Sequence, residues 1–456
     1  MNRYQALFGW LTLALLACFA WRFAAERLYA DSAYFLLQVI TKCGFHIING
    51  RLAITLYQWL PLVGVELGLP LSCLILLHSM ASVVLGLACF LFITRVLKDL
   101  DAGSTLVAVL FVGISHAQFC PVFEFYYGAM LLVVFIAVLR SQKPTHSFRF
   151  LLLSILFVLV ISSHFMGLLV MLLTLTLERV WHDRRLTFWL AFLLILQLSL
   201  RFASLSIYES NALGSLLIRL KVLGAAWIVE PGRILAMAHH ALLNYPDTLV
   251  LALVATLVMI RLGDRWGLFV LFGGLVVAYV LTSLLLPDTT LSYYREIVDY
   301  PLSIFVLLVV SSRVLPSVRY RPLVLGLLGL ALCYRVVYTL IVSEAYTQRL
   351  TWMEECIRQA RREGIGRAIV LDAPIFQATG HAAAPLNALS PMETLLLSAR
   401  AGSNAAVALV PLHVSQLSLG ISDSLDARMP TYGFNFPVGY RSAYFNLPGE
   451  AYRVLE

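Results

Sequence analysis

Apolar runs of membrane-helix length recur from the N-terminus to about residue 342 and then stop. A helix needs about 20 apolar residues to cross a hydrocarbon core of about 30 Å, and fewer where neighbours shelter it. The pattern predicts spans at 6–24, 70–96, 104–119, 122–139, 149–162, 165–178, 186–204, 247–261, 266–286, 301–314 and 322–342. That makes an all-α polytopic membrane protein of about 11 transmembrane helices.

Two long runs have to be divided. As one helix, Thr105 to Leu139 would measure about 50 Å, so "SHAQFCPVFE", with its proline and polar residues, is read as a turn. Phe150 to Leu177 has basic flanks on both sides: Arg140, Lys143 and Arg149 before it, Arg179, Arg184 and Arg185 after. A hairpin turning at "SSH" puts both flanks on one side, as the positive-inside rule prefers.

After Ser343 the pattern changes. "YTQRLTWMEECIRQARREGIGRAIVLD" reads as a charged amphipathic helix, a glycine stop and a strand. "SPMETLLLSARAG" reads as a helix with Ser390 as cap, Pro391 at its first position and Glu393 closing a capping box, and "AAVALVP" as another strand. The chain thus divides into a membrane domain, 1–342, with a first outer loop at 25–69, and a small α/β extracytoplasmic domain, 343–456.

Composition agrees. Hydrophobic residues make up 60% of the 456 and charged residues 13%, with a mean hydropathy of +0.85; soluble domains carry about a quarter charged residues. The formal charge of +8 needs no nucleic acid, because the basic residues fall where cytoplasmic loops are expected. With the N-terminus cytoplasmic, Arg95, Lys98, Arg140, Arg149, Arg179, Arg261, Arg265, Arg313, Arg319 and Arg321 all lie inside. The long loops and the tail then face out. The seven cysteines show no regular spacing, so no disulfide framework is expected. The first apolar run reads as a retained span of a protein of the cytoplasmic membrane.

The polar chemistry gathers outside. Arg27, Asp31, Tyr34, Gln38 and Lys42 recur at steps of three and four, one face of a helix lying along the membrane surface above a wet cleft. Asp31 is either the i,i+4 partner of Arg27 or a functional acid. This arrangement of one span, a large outer loop opening on an acid within an amphipathic helix, many spans and an outer terminal domain resembles the GT-C glycosyltransferases. In particular, "ADSAYFLLQV" is similar to the Asp-Glu-x-x-Tyr opening of the protein O-mannosyltransferase and aminoarabinose-transferase group, with Ser32 in place of the second acid.

The resemblance implies an inverting transfer of a sugar from a polyprenyl-phosphate donor to an envelope acceptor. Asp31 would be the general base. Cations would stabilise the leaving phosphate: Arg295, which follows Tyr294, with Lys221 and Arg233. Tyr34, Arg51, Glu124 and His164 are further candidates to line the substrate site, each with a structural alternative such as packing or helix capping. Adjacent His239 and His240 have no metal spacing; a divalent cation between Asp31 and Glu124 stays open because some GT-C enzymes use one. The alternatives are a transporter or flippase for a lipid-linked saccharide and a non-catalytic partner in polysaccharide assembly.

Overall fold

The computed structural model describes residues 3–48, 50–141, 146–203, 230–285, 292–378, 381–387, 389–412, 443–447 and 452–455, with single positions between 210 and 221. The molecule is mainly helical. The membrane part comprises α1 (Arg3–Arg22), α2 (Asp31–Lys42), α3 (Thr55–Glu66), α4 (Leu71–Leu91, continued to Leu97 as a wider π-turn), α5 (Leu100–Val109), α6 (Glu124–Arg140), α7 (His146–Ser163), α8 (Phe165–Leu177), α9 (Arg184–Ala203), α10 (Pro231–Asn244), α11 (Pro246–Leu262), α12 (Arg265–Leu285), α13 (Ser292–Val309) and α14 (Arg321–Arg362).

The count of eleven spans is not reproduced. Among the described residues six helices are long and apolar enough to cross a bilayer, or seven if α10 and α11, bent by 101° at Tyr245, form one broken span. Five other apolar helical segments are shorter: Leu52–Glu66, Leu100–Val109, Phe125–Arg140, Ser147–Ser163 and Phe165–Leu177. The expected span 104–119 ends as a helix at Val109 and continues through turns to a 3-10 piece at His116–Phe119. For α5 and α6 the physical reason is burial. Leu106 to Val109 and Ala129 to Val138 are buried by protein, and a helix enclosed by other helices is as apolar as one facing lipid. By contrast α9, whose buried residues are Leu186 and Leu190, is a peripheral apolar helix.

The turn expected at "SSH" is present. His164 has extended backbone between α7 and α8, its Nδ1 accepts from the Met166 N–H at 3.2 Å, and the two helices pack together. Several of the basic flanks are paired with acids. Arg140 pairs with Glu178 at 2.7 Å, Arg313 with Asp264 at 3.7 Å and Arg321 with Asp101 at 3.2 Å, which ties several basic flanks together at one end of the bundle.

Ser343 is no boundary in the backbone, because α14 runs through it for 42 residues. Beyond α14, Gly364 takes the left-handed conformation (φ +68°) that stops the helix. Strand β1 (Arg367–Leu371) then pairs in parallel with β4 (Ala408–Leu412) and β5 (Arg453–Val454), while β2 (Gln377–Ala378) and β3 (His381–Ala382) form a small antiparallel pair. Helix α15 (Ser390–Ala399) crosses between β1 and β4, as a parallel connection requires. It packs on β4 and against α2 and α14. The capping box does not form: Glu393 reaches Arg349 instead, and Ser390 Oγ accepts from the Asn387 N–H at 2.9 Å.

Candidate functional site

The placement of Asp31 begins two turns earlier. Glu26 and Arg27 sit in a 3-10 turn and are pinned in different directions. Glu26 Oε1 accepts from Thr347 of α14 at 3.3 Å, and burial raises its pKa above the ordinary carboxylate range. Arg27, 1% exposed, donates to the Gln118 carbonyl at 2.6 Å, the Ser79 carbonyl at 3.2 Å and Ser82 Oγ at 3.3 Å. Burial pulls its pKa down to about 10, so the guanidinium stays charged at neutral pH. Arg27 therefore points into the bundle, which answers the pairing question: its partners belong to α4 and to the 116–119 turn.

Three residues on, Ala30 holds φ +52° and ψ −125°, a region that L-residues avoid. Such strain, about 1–3 kcal/mol, persists where surroundings over-determine the backbone, commonly at functional positions. Asp31 follows as the first residue of α2 and is exposed, while Ser32 to Leu37, Val39 and Ile40 are buried. The surface helix of the sequence reading is thus corrected. With α3 and α15 packed on it, α2 is enclosed, and Tyr34 (4% exposed) is inside. The polar stripe reflects the ends of the helix, Asp31 and Lys42, more than one wet face.

Tyr34, His46 and Lys42 form a chain. His46 Nε2 lies 2.8 Å from Tyr34 Oη and His46 Nδ1 2.7 Å from Lys42 Nζ. An ammonium only donates, so Nδ1 accepts and the neutral ring carries its proton on Nε2, donating to the tyrosine oxygen. Burial, aided by Lys42, lowers the His46 pKa to about 4, in keeping with a ring that takes no second proton at neutral pH. The fully buried Gln58 fixes the histidine backbone, accepting from its N–H at 2.7 Å and donating to its carbonyl at 2.8 Å. Burial, and next the charge of Asp31, raise the Tyr34 pKa.

Helix α13 arrives from the other side. The Tyr29 and Tyr293 rings meet edge to face at 5.0 Å, and Asp31 is close enough to act on the Tyr293 hydroxyl electrostatically. Tyr294 (43% exposed) and the half-buried Arg295 come next on α13. The stretch that carries Asp31 and Tyr34 therefore meets the first turn of α13 through Tyr29 and Tyr293, while the Arg295 side chain turns toward α10. Arg295 and Asp299, one turn apart on α13, do not pair: Asp299 Oδ2 lies 3.2 Å from His240 Nε2, and Arg295 Nη2 rests 4.0 Å from Met237 Sδ of α10.

The other candidates scatter. Arg51, half-buried, and Arg201 act on His164 electrostatically and form a separate basic group. Arg233 donates to the Ser283 carbonyl at 3.2 Å. Lys221 is exposed, between segments outside the described residues. Glu124 opens α6, and its side chain also lies outside the described residues. Among the described residues no group of three or more His, Cys, Asp or Glu is arranged to hold a metal.

A buried ionic cluster escaped the sequence reading. Arg335 grips Asp247 through two bonds, Nε to Oδ2 at 2.8 Å and Nη2 to Oδ1 at 2.6 Å, and donates to the Asn244 carbonyl at 2.9 Å. Glu296 accepts from the N–H groups of Ser115 and Ala117, both at 2.8 Å. Gly113 (φ +79°) makes this packing possible, since a Cβ there would fall 2.2 Å from Ser303 Oγ. The available signal was charge within or beside apolar runs, in "CYRVV" and "NYPDTLV", which is a functional hypothesis by default in a membrane protein.

The fold and these sites define a polytopic membrane protein with a small mixed α/β tail. No protein-family profile, curated protein or solved structure matches the chain.

Proposed function

We propose that the chain is a membrane glycosyltransferase that moves a sugar from a polyprenyl-phosphate donor onto an envelope glycan, lipid or protein on the outer side of the cytoplasmic membrane. One observation carries the reading: an exposed carboxylate, Asp31, held behind the strained Ala30 at the head of an otherwise buried helix, in a stretch that meets the first turn of α13, the turn carrying Tyr294 and Arg295, through Tyr29 and Tyr293. An acceptor oxygen or nitrogen forms the new bond to the anomeric carbon as the bond from that carbon to the phosphate oxygen breaks. Asp31 takes the acceptor proton, and Arg295 offsets the charge left on the lipid phosphate. The test is mass spectrometry of envelope glycans and lipid-linked sugars in wild type, a deletion strain and Asp31→Asn at matched membrane levels. The transferase reading expects Asp31→Asn to lose the deletion's glycan and to accumulate donor lipid; an unchanged glycan profile in the variant sinks it.

A second reading, transport of a lipid-linked saccharide, is favoured by the buried Arg335–Asp247–Glu296 cluster beside the 101° break between α10 and α11, since broken helices with buried charges mark transport sites. It expects Asp247→Asn to abolish the glycan while Asp31→Asn leaves it intact.

A further inference from the structure

At the basic end of the bundle, far along the helices from Asp31, a pocket of about 420 Å³ opens between the start of α1, the start of α5, the end of α6 and the first residue of α14. Its polar lining includes Gln5, Ser141 and five charged side chains, the cations Lys98, Arg140 and Arg321 against the carboxylates Asp99 and Asp101. Both acids are committed to local structure. Asp99 Oδ1 caps α5 by accepting from the Ala102 N–H at 2.8 Å. Asp101 accepts from Gln5 Nε2 at 2.7 Å and from Arg321 Nη2 at 3.2 Å.

The guanidiniums are fixed from behind. Arg140 donates through Nε and Nη2 to Glu178 at 3.2 and 2.7 Å, and through Nη2 to Ser312 Oγ at 2.5 Å. Arg321 Nε donates to the Leu315 carbonyl at 3.1 Å. Among the described residues, Nη1 of Arg140, Nη1 of Arg321 and Nζ of Lys98 make no hydrogen bond to protein. Lys98 is exposed, with a left-handed backbone (φ +60°) that breaks the chain between the end of α4 and α5.

Two anchored planar donors beside a flexible ammonium suit a tetrahedral oxyanion, and the anchoring removes much of the ordering cost of binding one. Leu97, Leu100 and Ala137 give the pocket an apolar wall fit for the carbon skeleton joined to such a group. We propose that this pocket binds a phosphate ester, either the headgroup of an anionic phospholipid or a soluble phosphorylated molecule. The level of the helix ends, where the basic flanks gather, is where lipid phosphates lie.

The test uses the purified full chain in detergent. Native mass spectrometry measures retention of phosphatidylglycerol against diacylglycerol, and calorimetry measures glycerol 3-phosphate. Retention of phosphatidylglycerol alone identifies a lipid, and binding of glycerol 3-phosphate identifies a soluble ester. In either case Lys98→Gln, at an exposed position without a protein partner, weakens binding about three- to tenfold, and Arg140→Gln weakens it more. The proposal is overturned if phosphatidylglycerol is held no better than diacylglycerol and glycerol 3-phosphate does not bind. It is equally overturned if a folded Lys98→Gln and a folded Arg140→Gln bind as the wild type does.

Discussion

Arg335 and Arg349 lie on the same helix about 21 Å apart, and each meets a carboxylate with almost no exposure: 1% for both side chains of the Arg335–Asp247 pair and 2% for both of the Arg349–Glu393 pair. Their surroundings separate them. Arg335 sits among Asp247, Glu296 and Asn244, inside the part of α14 apolar enough for a bilayer. Arg349 sits beyond that part, over the Tyr29 ring at 4.9 Å, and joins α14 to the tail helix α15. The first pair holds charges inside the helix bundle, where Arg335 lines a cavity of about 280 Å³. The second fastens a domain to a bundle. Matching burial therefore does not mean matching worth, because the cost of losing one partner depends on how the abandoned carboxylate can relax.

The largest expected effect is at the first pair. Arg335→Leu abandons Asp247 and removes the cation facing Glu296, and should destabilise the bundle by about 3–5 kcal/mol, read as thermal unfolding of the detergent-solubilised protein. A melting temperature unchanged from wild type would contradict the cluster's role. Arg349→Leu should cost less, about 1–3 kcal/mol, because Glu393 can take a proton. Burial already raises the Glu393 pKa, with Arg349 opposing the rise, so deleting the arginine raises it further. A raised carboxyl pKa in the folded state stabilises fully below its unfolded value of 4.5 and loses that contribution as pH climbs through the folded value. Melting of Arg349→Leu should consequently recover toward wild type as the buffer is acidified, and Arg349→Leu/Glu393→Leu should show no such recovery. The smallest effect belongs to a third arginine of α14: Arg358 pairs with Glu355 at 2.5 Å, but both side chains are more than half exposed (56% and 57%). Arg358→Gln should change stability by less than about 0.5 kcal/mol; a larger loss would mean that exposure is a poor guide along this helix.

The same contrast governs what was legible in the chain. Properties carried by neighbours in sequence could be read: the apolar helices, the turn at His164, the Gly364 stop and the strands at Arg367 and Ala408. Properties set by partners far away could not. The Ser390–Glu393 signature promises a local cap, yet Glu393 answers an arginine 44 positions upstream. The Arg27–Asp31 spacing promises a local pair, yet Arg27 answers a carbonyl 91 positions on. Helix α10 was missed because Arg233, His239, His240 and Asn244 dilute its apolarity. The count of eleven spans is not reproduced in part for the opposite reason, since α5 and α6 are apolar yet enclosed in the bundle. Asp31, Tyr34, Tyr294 and Arg295 could be named individually, but only the Tyr29–Tyr293 contact brings the two stretches to one place.

Forty-two residues of unbroken helix make α14 a rod about 63 Å long. Arg321 at one tip walls the basic pocket, and the chain enters β1 a few residues past the other tip. A rod of that length works as a lever. Tilting the rod by about 5° sweeps one tip about 5 Å relative to the other. Movement at the wall of the pocket and the attitude of the tail at the far tip are thereby mechanically joined, with no diffusing messenger between them.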